Sequence, residues 1–208
     1  LQFHQHGEDE LAHYARAAFD VQFDFGGSLG FQEVEGIHNR GDFDLSRHQE
    51  YSGKKLEYFE QGANKRFIPF VVETAAGPNR ILLALLVNGY REEAVAGETE
   101  GRVVLGLHAS LAPIKAGVFP LVKKDGMPEI ARKIADDLRP SFPVFYDDSG
   151  AIGRRYRRQD EVGTPFCITV DGESAASSSV TVRERDTLQQ ERVSYDALRE
   201  YIGRRITG

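Results

Sequence analysis

The chain has 208 residues and a single cysteine, Cys167. One cysteine excludes an internal disulfide framework. It lies in Pro165-Phe166-Cys167-Ile168-Thr169-Val170, which reads as a buried strand, so the thiol is expected to act as a small apolar filler rather than a nucleophile. No run of 18 apolar residues is present, so the sequence offers no membrane-spanning helix. The first residues do not have the pattern of a secretory leader. The six histidines show no zinc-type spacing, and no second cysteine supports them, so no protein-ligated metal is expected. A strongly basic character is missing as well. The net charge is −6, and residues 1–112 hold 10 Lys and Arg against 17 Asp and Glu, whereas residues 113–208 hold 16 against 15. A polyanion would therefore have to meet a local patch, in the second half.

What is present is ordinary globular composition, 40% apolar and 28% charged, with two styles of patterning. In the first half, Glu8-Asp9-Glu10 precede Leu11, Tyr14, Ala15, Ala18 and Phe19 at helical spacing. Residues 19–25 then alternate as a half-buried strand. Gly26 to Gly30 predict a turn, Phe31 to Ile37 a strand, Asn39 to Lys55 a polar loop, Phe67 to Val72 a strand and Ile81 to Tyr90 a helix. A polar stretch from Glu92 to Arg102 leads to a strand at Val103 to Leu107, and Pro113 suits a domain boundary.

Beyond Pro113, strands and helices alternate. Strands are predicted at Ile114–Val122, Val144–Tyr146 and Phe166–Val170, with a hairpin of Val180–Arg185 and Glu191–Val193. Helices are predicted after Pro128, over Ser149–Glu161 and after Ser194, while Ser174–Ser179 reads as a loose loop. The expected class is α/β (α+β). An antiparallel-sheet region spans 1–112, and an α/β domain with a mixed five-stranded sheet spans 113–208.

Three segments carry chemistry. Pro69 to Leu86 joins a β-branched run ending in Glu73, a small-residue turn (Thr74-Ala75-Ala76-Gly77), and Pro78-Asn79-Arg80 opening an apolar helix. Small residues let a ligand approach backbone, a helix start offers unpaired N–H groups to an anion, and arginine adds a permanent charge. The same pattern also occurs in plain strand–turn–helix units. Glu33 and Glu35, two apart on a predicted strand beside Glu73, would place three carboxylates around one pocket, for an ammonium or a metal. The alternative is a solvated strand face. Finally, Gly150 to Gln159 packs Arg154, Arg155, Arg157 and Arg158 around Tyr156. An exposed face of Arg154, Arg157 and Arg158 would meet phosphates, with Tyr156 stacking or packing; a solvated helix paired with nearby acids is the equal alternative.

The 69–86 segment resembles the third signature motif of class II aminoacyl-tRNA synthetases. The chain as a whole resembles glycyl-tRNA synthetases of the homodimeric type. Residues carrying the likeness include Glu10-Leu11-Ala12-His13-Tyr14, Glu33 to Arg40, Asp42 to Leu45, Tyr51-Ser52-Gly53, Val72 to Arg80, Leu121 to Gly126, Ile152 to Cys167 and Thr181 to Thr187. The resemblance implies that 1–112 is the later part of a catalytic domain and 113–208 an anticodon-binding domain. It implies formation of glycyl-adenylate from ATP and glycine, then transfer of glycine to tRNA(Gly), in a cytoplasmic homodimer, with Mg²⁺ arriving with ATP.

By position, Glu33, Val34, Gly77, Pro78, Asn79 and Arg80 would contact ATP. Glu33, Glu73, Thr74, Ala75, Ala76 and Gly77 would form the glycine pocket. Arg80 and Glu73 would be the catalytic pair, and Arg154, Arg155, Arg157 and Arg158 would touch tRNA. Discrimination would be steric, by a pocket without room for a side chain. Two departures stand out: Ala75 replaces a serine common in the family, and Gly26 to Gly30 is longer and less aromatic than usual. The family's earlier motifs do not occur here, so the chain alone is expected to be inactive. The competing expectation is a synthetase-like, non-catalytic accessory subunit of a DNA polymerase, which would be expected to lose Glu33, Glu73 and Arg80; all three are present.

Overall fold

The computed structural model describes residues 1–94 and 101–207. Part of the polar stretch predicted at 92–102 lies outside these residues. The chain divides into two compact units, Leu1–Val87 and Asn88–Gly208. This spatial division falls earlier than the sequence boundary at 112/113, because the segment after Asn88 folds with the second unit.

The first unit is built on a four-stranded antiparallel sheet, ordered β1-β2-β3-β6. Its strands are β1 (Gln2–Gln5), β2 (Ala17–Asp24), β3 (Phe31–Gly41) and β6 (Val71–Ala76). Gly26, Gly27 and Gly30 take positive φ in the β2–β3 turn, where side chains would be strained. The helix expected near Leu11 to Phe19 is absent. Residues 8–16 form turns, closed in part by the Glu10 carboxylate accepting from the Gly7 N–H, and the chain enters β2 at Ala17. Sheet pairing wins there because Ala18 and Asp20 are buried on one face.

The polar segment expected as a loop from Asn39 instead finishes β3 and forms helix α1 (Phe43–Ser52). Asp44 sits in its first turn, and Gly53, in the left-handed conformation, closes its end. A small hairpin, β4 (Tyr58–Glu60) with β5 (Lys65–Phe67), follows. The strand expected at 67–72 begins later, at Val71, so Glu73 lies within it rather than at its end. Helix α2 (Pro78–Gly89) opens on proline, whose missing N–H costs nothing at that position. Ile81, Leu82, Leu83, Leu86 and Val87 of α2 are exposed, and among the described residues Ala18 is the first unit's one fully buried apolar side chain.

The second unit adds the hairpin β7 (Tyr90–Glu93) and β8 (Arg102–Leu105), then a mixed sheet ordered β10-β9-β11-β12-β13. Its strands are β9 (Ala116–Pro120), β10 (Val144–Tyr146), β11 (Phe166–Val170), β12 (Ser179–Glu184) and β13 (Gln190–Ser194). The helices are α3 (Met127–Leu138), α4 (Ile152–Glu161), the short α5 (Ser174–Ser177) where a loose loop was expected, and α6 (Leu198–Thr207) after a 3₁₀ turn at Tyr195–Ala197. β9 pairs in parallel with β10 and β11, while β12 and β13 run antiparallel, giving the expected five-stranded mixed sheet. Val118, Ile134, Leu138, Ile168, Val182, Leu198 and Ile202 form a continuous core. Cys167 is buried on the other face of β11, beside Arg183, and burial pushes its thiol up to about 12, which fits an inert filler.

A buried ionic cluster ties the β7–β8 hairpin to this unit. Asp160, with no exposed surface, receives two hydrogen bonds from Arg183, at 2.9 Å each, and a third from Arg102 at 3.2 Å. Arg102 also donates to Glu93 and to the Arg185 carbonyl, and Arg185 donates to the carbonyls of Leu105, Gly163 and Leu107. Replacing Asp160 with asparagine leaves the Arg183 guanidinium buried without its counter-charge and takes one of two carboxylates from Arg102. The expected loss is about 3–5 kcal/mol, measured by denaturant unfolding.

In the first unit, His6 and Asp20 join β1 to β2 through a 2.9 Å hydrogen bond. That bond, ahead of the opposing effect of burial, raises the His6 pKa above the ordinary histidine value. Because the folded value exceeds the unfolded one, this stabilisation is fully present below about pH 6.5 and is lost as pH rises through the raised folded value. Asp20→Asn is expected to bring the His6 titration, followed by NMR, down towards an ordinary histidine and to remove that fall in stability.

Candidate functional site: a polar sheet face and a basic helix

The β3–β6 register decides which side chains share a face. Gly36 lies opposite Ala75 and His38 opposite Glu73, while Ile37 faces Thr74 and Glu35 faces Ala76. Alternation therefore puts Gly36, His38, Ala75 and Glu73 on one side, together with Asp20 and His4 across β2 and β1. Thr74, Ala76, Ile37 and Phe19 lie on the other. Of the residues proposed from sequence to line one pocket, Thr74 and Ala76 can thus reach it only through backbone.

The two glutamates of β3 part company. The β2 register passes from Val21 opposite Glu35 to Gln22 opposite Glu33, so Val34 is an extra residue, a bulge that resets the alternation. Glu33 consequently lies on the Gly36 side. A Cβ built on Gly36 would meet the His38 ring at 3.0 Å and Glu33 Oε1 at 3.3 Å. Glu35 lies on the opposite side, so the expectation of three carboxylates around one pocket is corrected to two, Glu33 and Glu73. The floor between them is made of Gly36 and Ala75, the two smallest side chains available.

Arg80, in the first turn of α2, donates to the Glu33 carbonyl at 2.8 Å and to its carboxylate at 3.3 Å. The Gly77 N–H reaches the Val34 carbonyl, which holds the turn against the bulge. Pro78 and Asn79 complete the exposed first turn. The structure therefore brings together Glu33, Val34, Gly77 and Arg80 at the start of α2.

Arg40 was not singled out by sequence. Its Nε and Nη2 grip the two oxygens of Asp44, at 2.5 and 3.0 Å, and its Nη1 donates to Glu73 Oε2 at 2.5 Å. Its guanidinium sits 4.0 Å from the centre of the Tyr14 ring. The Asp44 carboxyl is held below the usual carboxylate range, foremost by the Arg40 hydrogen bond, with burial opposing. The i, i+4 spacing of Arg40 and Asp44 was visible, but the partner Glu73 lies across the sheet.

In the second unit, α4 sorts its arginines. Arg155 is 3% exposed and donates to the carbonyls of Pro120, Asp147 and Leu121, so its charge is spent inside the fold. This corrects its expected place on a nucleic-acid face. Arg158 is exposed and paired with Asp147. Tyr156 packs rather than stacks outward: its hydroxyl bonds Thr169, and it lies beside Phe119 under Arg183. Arg154 is exposed. Arg154, Arg157, Leu188 and Gln190 line an open cavity of about 530 Å³ between α4 and the β12–β13 hairpin.

Residues 115–205 match the anticodon binding domain family. The chain is 50% identical to a glycine–tRNA ligase of Treponema denticola, over 93% of this chain and 43% of that protein. It is 50% identical to one of Chlorobaculum tepidum, over 98% and 42%, and 47% identical to one of Corynebacterium glutamicum, over 100% and 46%. The chain thus spans less than half the length of the curated relatives it matches. Residues 115–205 of the second unit are thus similar to an anticodon-binding domain, and the chain as a whole is similar to part of the glycine–tRNA ligases.

Proposed function

We propose that this chain is part of a glycine–tRNA ligase, in which the first unit supplies amino-acid and ATP contacts and the second reads tRNA. The observation that carries the reading is the face floored by Gly36 and Ala75 and flanked by the carboxylates of Glu33 and Glu73. Such a face attracts an ammonium and leaves little room for an amino-acid side chain.

Activation joins a glycine carboxylate oxygen to the α-phosphorus of ATP and breaks the bond to pyrophosphate, which leaves. In transfer, a terminal tRNA hydroxyl attacks the adenylate carbonyl, loses its proton and expels AMP. Glu73 and Glu33 would hold the ammonium, with Gly77 and the backbone of Thr74 and Ala76 closing the pocket. Arg80, with the first-turn N–H groups after Gly77 and Pro78 and with Asn79, would meet the phosphates. Glu33 and Val34 would line the nucleotide beside it. Glu73 and Arg80 are the catalytic pair of this reading. Among the described residues no three metal-ligating side chains cluster, so Mg²⁺ would be held by the ATP oxygens, where it neutralises charge.

The same reading makes residues 1–112 the later part of the catalytic domain and 113–208 the anticodon-binding domain, with strands β7 and β8 tied to the latter by Arg102. Arg154, Arg157 and Arg158 are its phosphate-facing set, and the cavity beside them suits an unstacked base. The full-length protein would act in the cytoplasm as a homodimer, and its remaining sequence would cover the exposed apolar residues of α2. Among the described residues no helix is long and apolar enough to cross a membrane.

The full-length protein is expected to catalyse glycine-dependent ATP–pyrophosphate exchange, and Arg80→Ala to slow it by about 100-fold or more. Absence of exchange together with tight binding to primed DNA would favour the polymerase accessory-subunit reading. Ala75→Ser places a hydroxyl opposite Gly36 and is expected to lower the KM for glycine; an unchanged KM would show that Ala75 leaves the pocket's polarity intact.

A further inference from the structure

Basic residues are unevenly placed in the first unit. Residues 47–67 hold 5 Lys and Arg against 3 Asp and Glu, while the rest of residues 1–87 holds 3 against 10. Positive charge is therefore gathered at the end of α1 and in the chain that follows it. Around that helix end, Arg47, His48, Tyr51, Ser52, Lys54 and Leu56 line an open cavity of about 490 Å³. Tyr51 is 81% exposed, so its ring is spent on no core. Lys54 and Lys55 are exposed just beyond the Gly53 cap, and among the described residues neither ammonium has an ion-pair partner. The β4–β5 hairpin that follows adds exposed Tyr58, Phe59 and Phe67, with Arg66 over the Phe59 ring. Cations interleaved with uncovered aromatic faces suit a nucleic-acid strand, whose phosphates need charge and whose bases need a flat surface.

The position of this surface selects the strand. α1 starts directly after β3, and Asp44 in its first turn is bonded to Arg40, which reaches Glu73. Asp44, His48, Tyr51 and Ser52 follow one another at helical spacing, so one face of α1 runs from the candidate pocket to the cavity. That run is roughly 12 Å at 1.5 Å per residue, the length of about three to four stacked nucleotides. We propose that the end of α1, through Arg47, Tyr51, Lys54 and Lys55, docks the unpaired 3′ end of a tRNA acceptor arm and the first phosphates behind it. This rests on the glycine–tRNA ligase reading, which brings the terminal hydroxyl to the pocket. Tyr51 stacks a base and Lys54 and Lys55 take phosphates, while the acidic remainder of the unit repels the strand from other paths.

The test is binding of a tRNA(Gly) acceptor minihelix, a stem with its unpaired 3′ end and no anticodon, to the full-length protein across a salt series. ATP–pyrophosphate exchange, which needs no tRNA, is measured alongside. The double variant Lys54→Ala, Lys55→Ala is expected to weaken minihelix binding by tenfold or more. It is also expected to flatten the fall of log affinity with log salt by about 1.5, as two lost phosphate contacts require. Tyr51→Ala is expected to weaken binding fivefold or more without changing the salt dependence. Exchange kinetics stay within twofold in both variants, which shows that the pocket is intact. Minihelix affinity within twofold of wild type in both variants overturns the proposal and leaves the surface to the remaining sequence of the protein. An equal fall in binding and in exchange overturns it as damage to the fold, and equal affinity for a DNA hairpin of the same sequence overturns the assignment to the acceptor arm. Absence of exchange by the unaltered protein would sink the ligase reading instead, and the minihelix comparison would still decide the surface.

Discussion

The pairing of β3 with β6 is the constraint on which the first unit depends. Its register sets Gly36 against Ala75 and His38 against Glu73, so one strand pair makes both the floor of the candidate pocket and its acidic wall. A shift of one residue would send Glu73 to the opposite face and bring Thr74 in its place. The bulge at Val34 acts in the same sense, because it turns Glu33 towards Gly36 and lets the Val34 carbonyl receive the Gly77 N–H. The helix start that carries Arg80 is thereby tied to the strand that carries Glu33.

The second unit is organised by burial of a different kind. Its apolar core is continuous across the mixed sheet and α3 and α6, whereas α4 is fixed largely by polar groups. Arg155 points inward to carbonyls, Asp160 anchors two arginines, and Gln159 bonds Thr164. With those contacts satisfied inside, Arg154 and Arg158 are left on the outer side. A very basic helix thus divides into residues that hold the domain together and residues left exposed, so a nearly neutral half-chain is compatible with the nucleic-acid contact proposed above.

The sequence was most legible where packing follows simple periodicity. β9, α3, β10, β11 and the β12–β13 hairpin fall where alternation, β-branched runs and Pro128 place them. α1 was missed because it has no fully buried residue and so no apolar stripe to read, and β4 and β5 were missed because all their residues are exposed. The spacing of Leu11, Tyr14, Ala15 and Ala18 suited a helix, yet long-range pairing claimed Ala17 onward. In the candidate site, the strand–turn–helix unit around Glu73 and Arg80 was visible as a local pattern. The separation of Glu33 from Glu35 was not, since a bulge leaves no mark in residue type, and neither was Arg40, whose role depends on a partner in another strand. The inward turn of Arg155 likewise follows from carbonyls of Pro120 and Leu121 brought close by folding.

The most direct test of the account is the affinity of this chain for tRNA(Gly), compared at fixed salt with the same tRNA carrying exchanged anticodon bases. The second unit contains the residues that would make the distinction, so the chain itself suffices. The account predicts clearly tighter binding to the native anticodon, with the preference reduced by substitutions at the cavity beside Arg154. Equal affinity for the two tRNAs would contradict it.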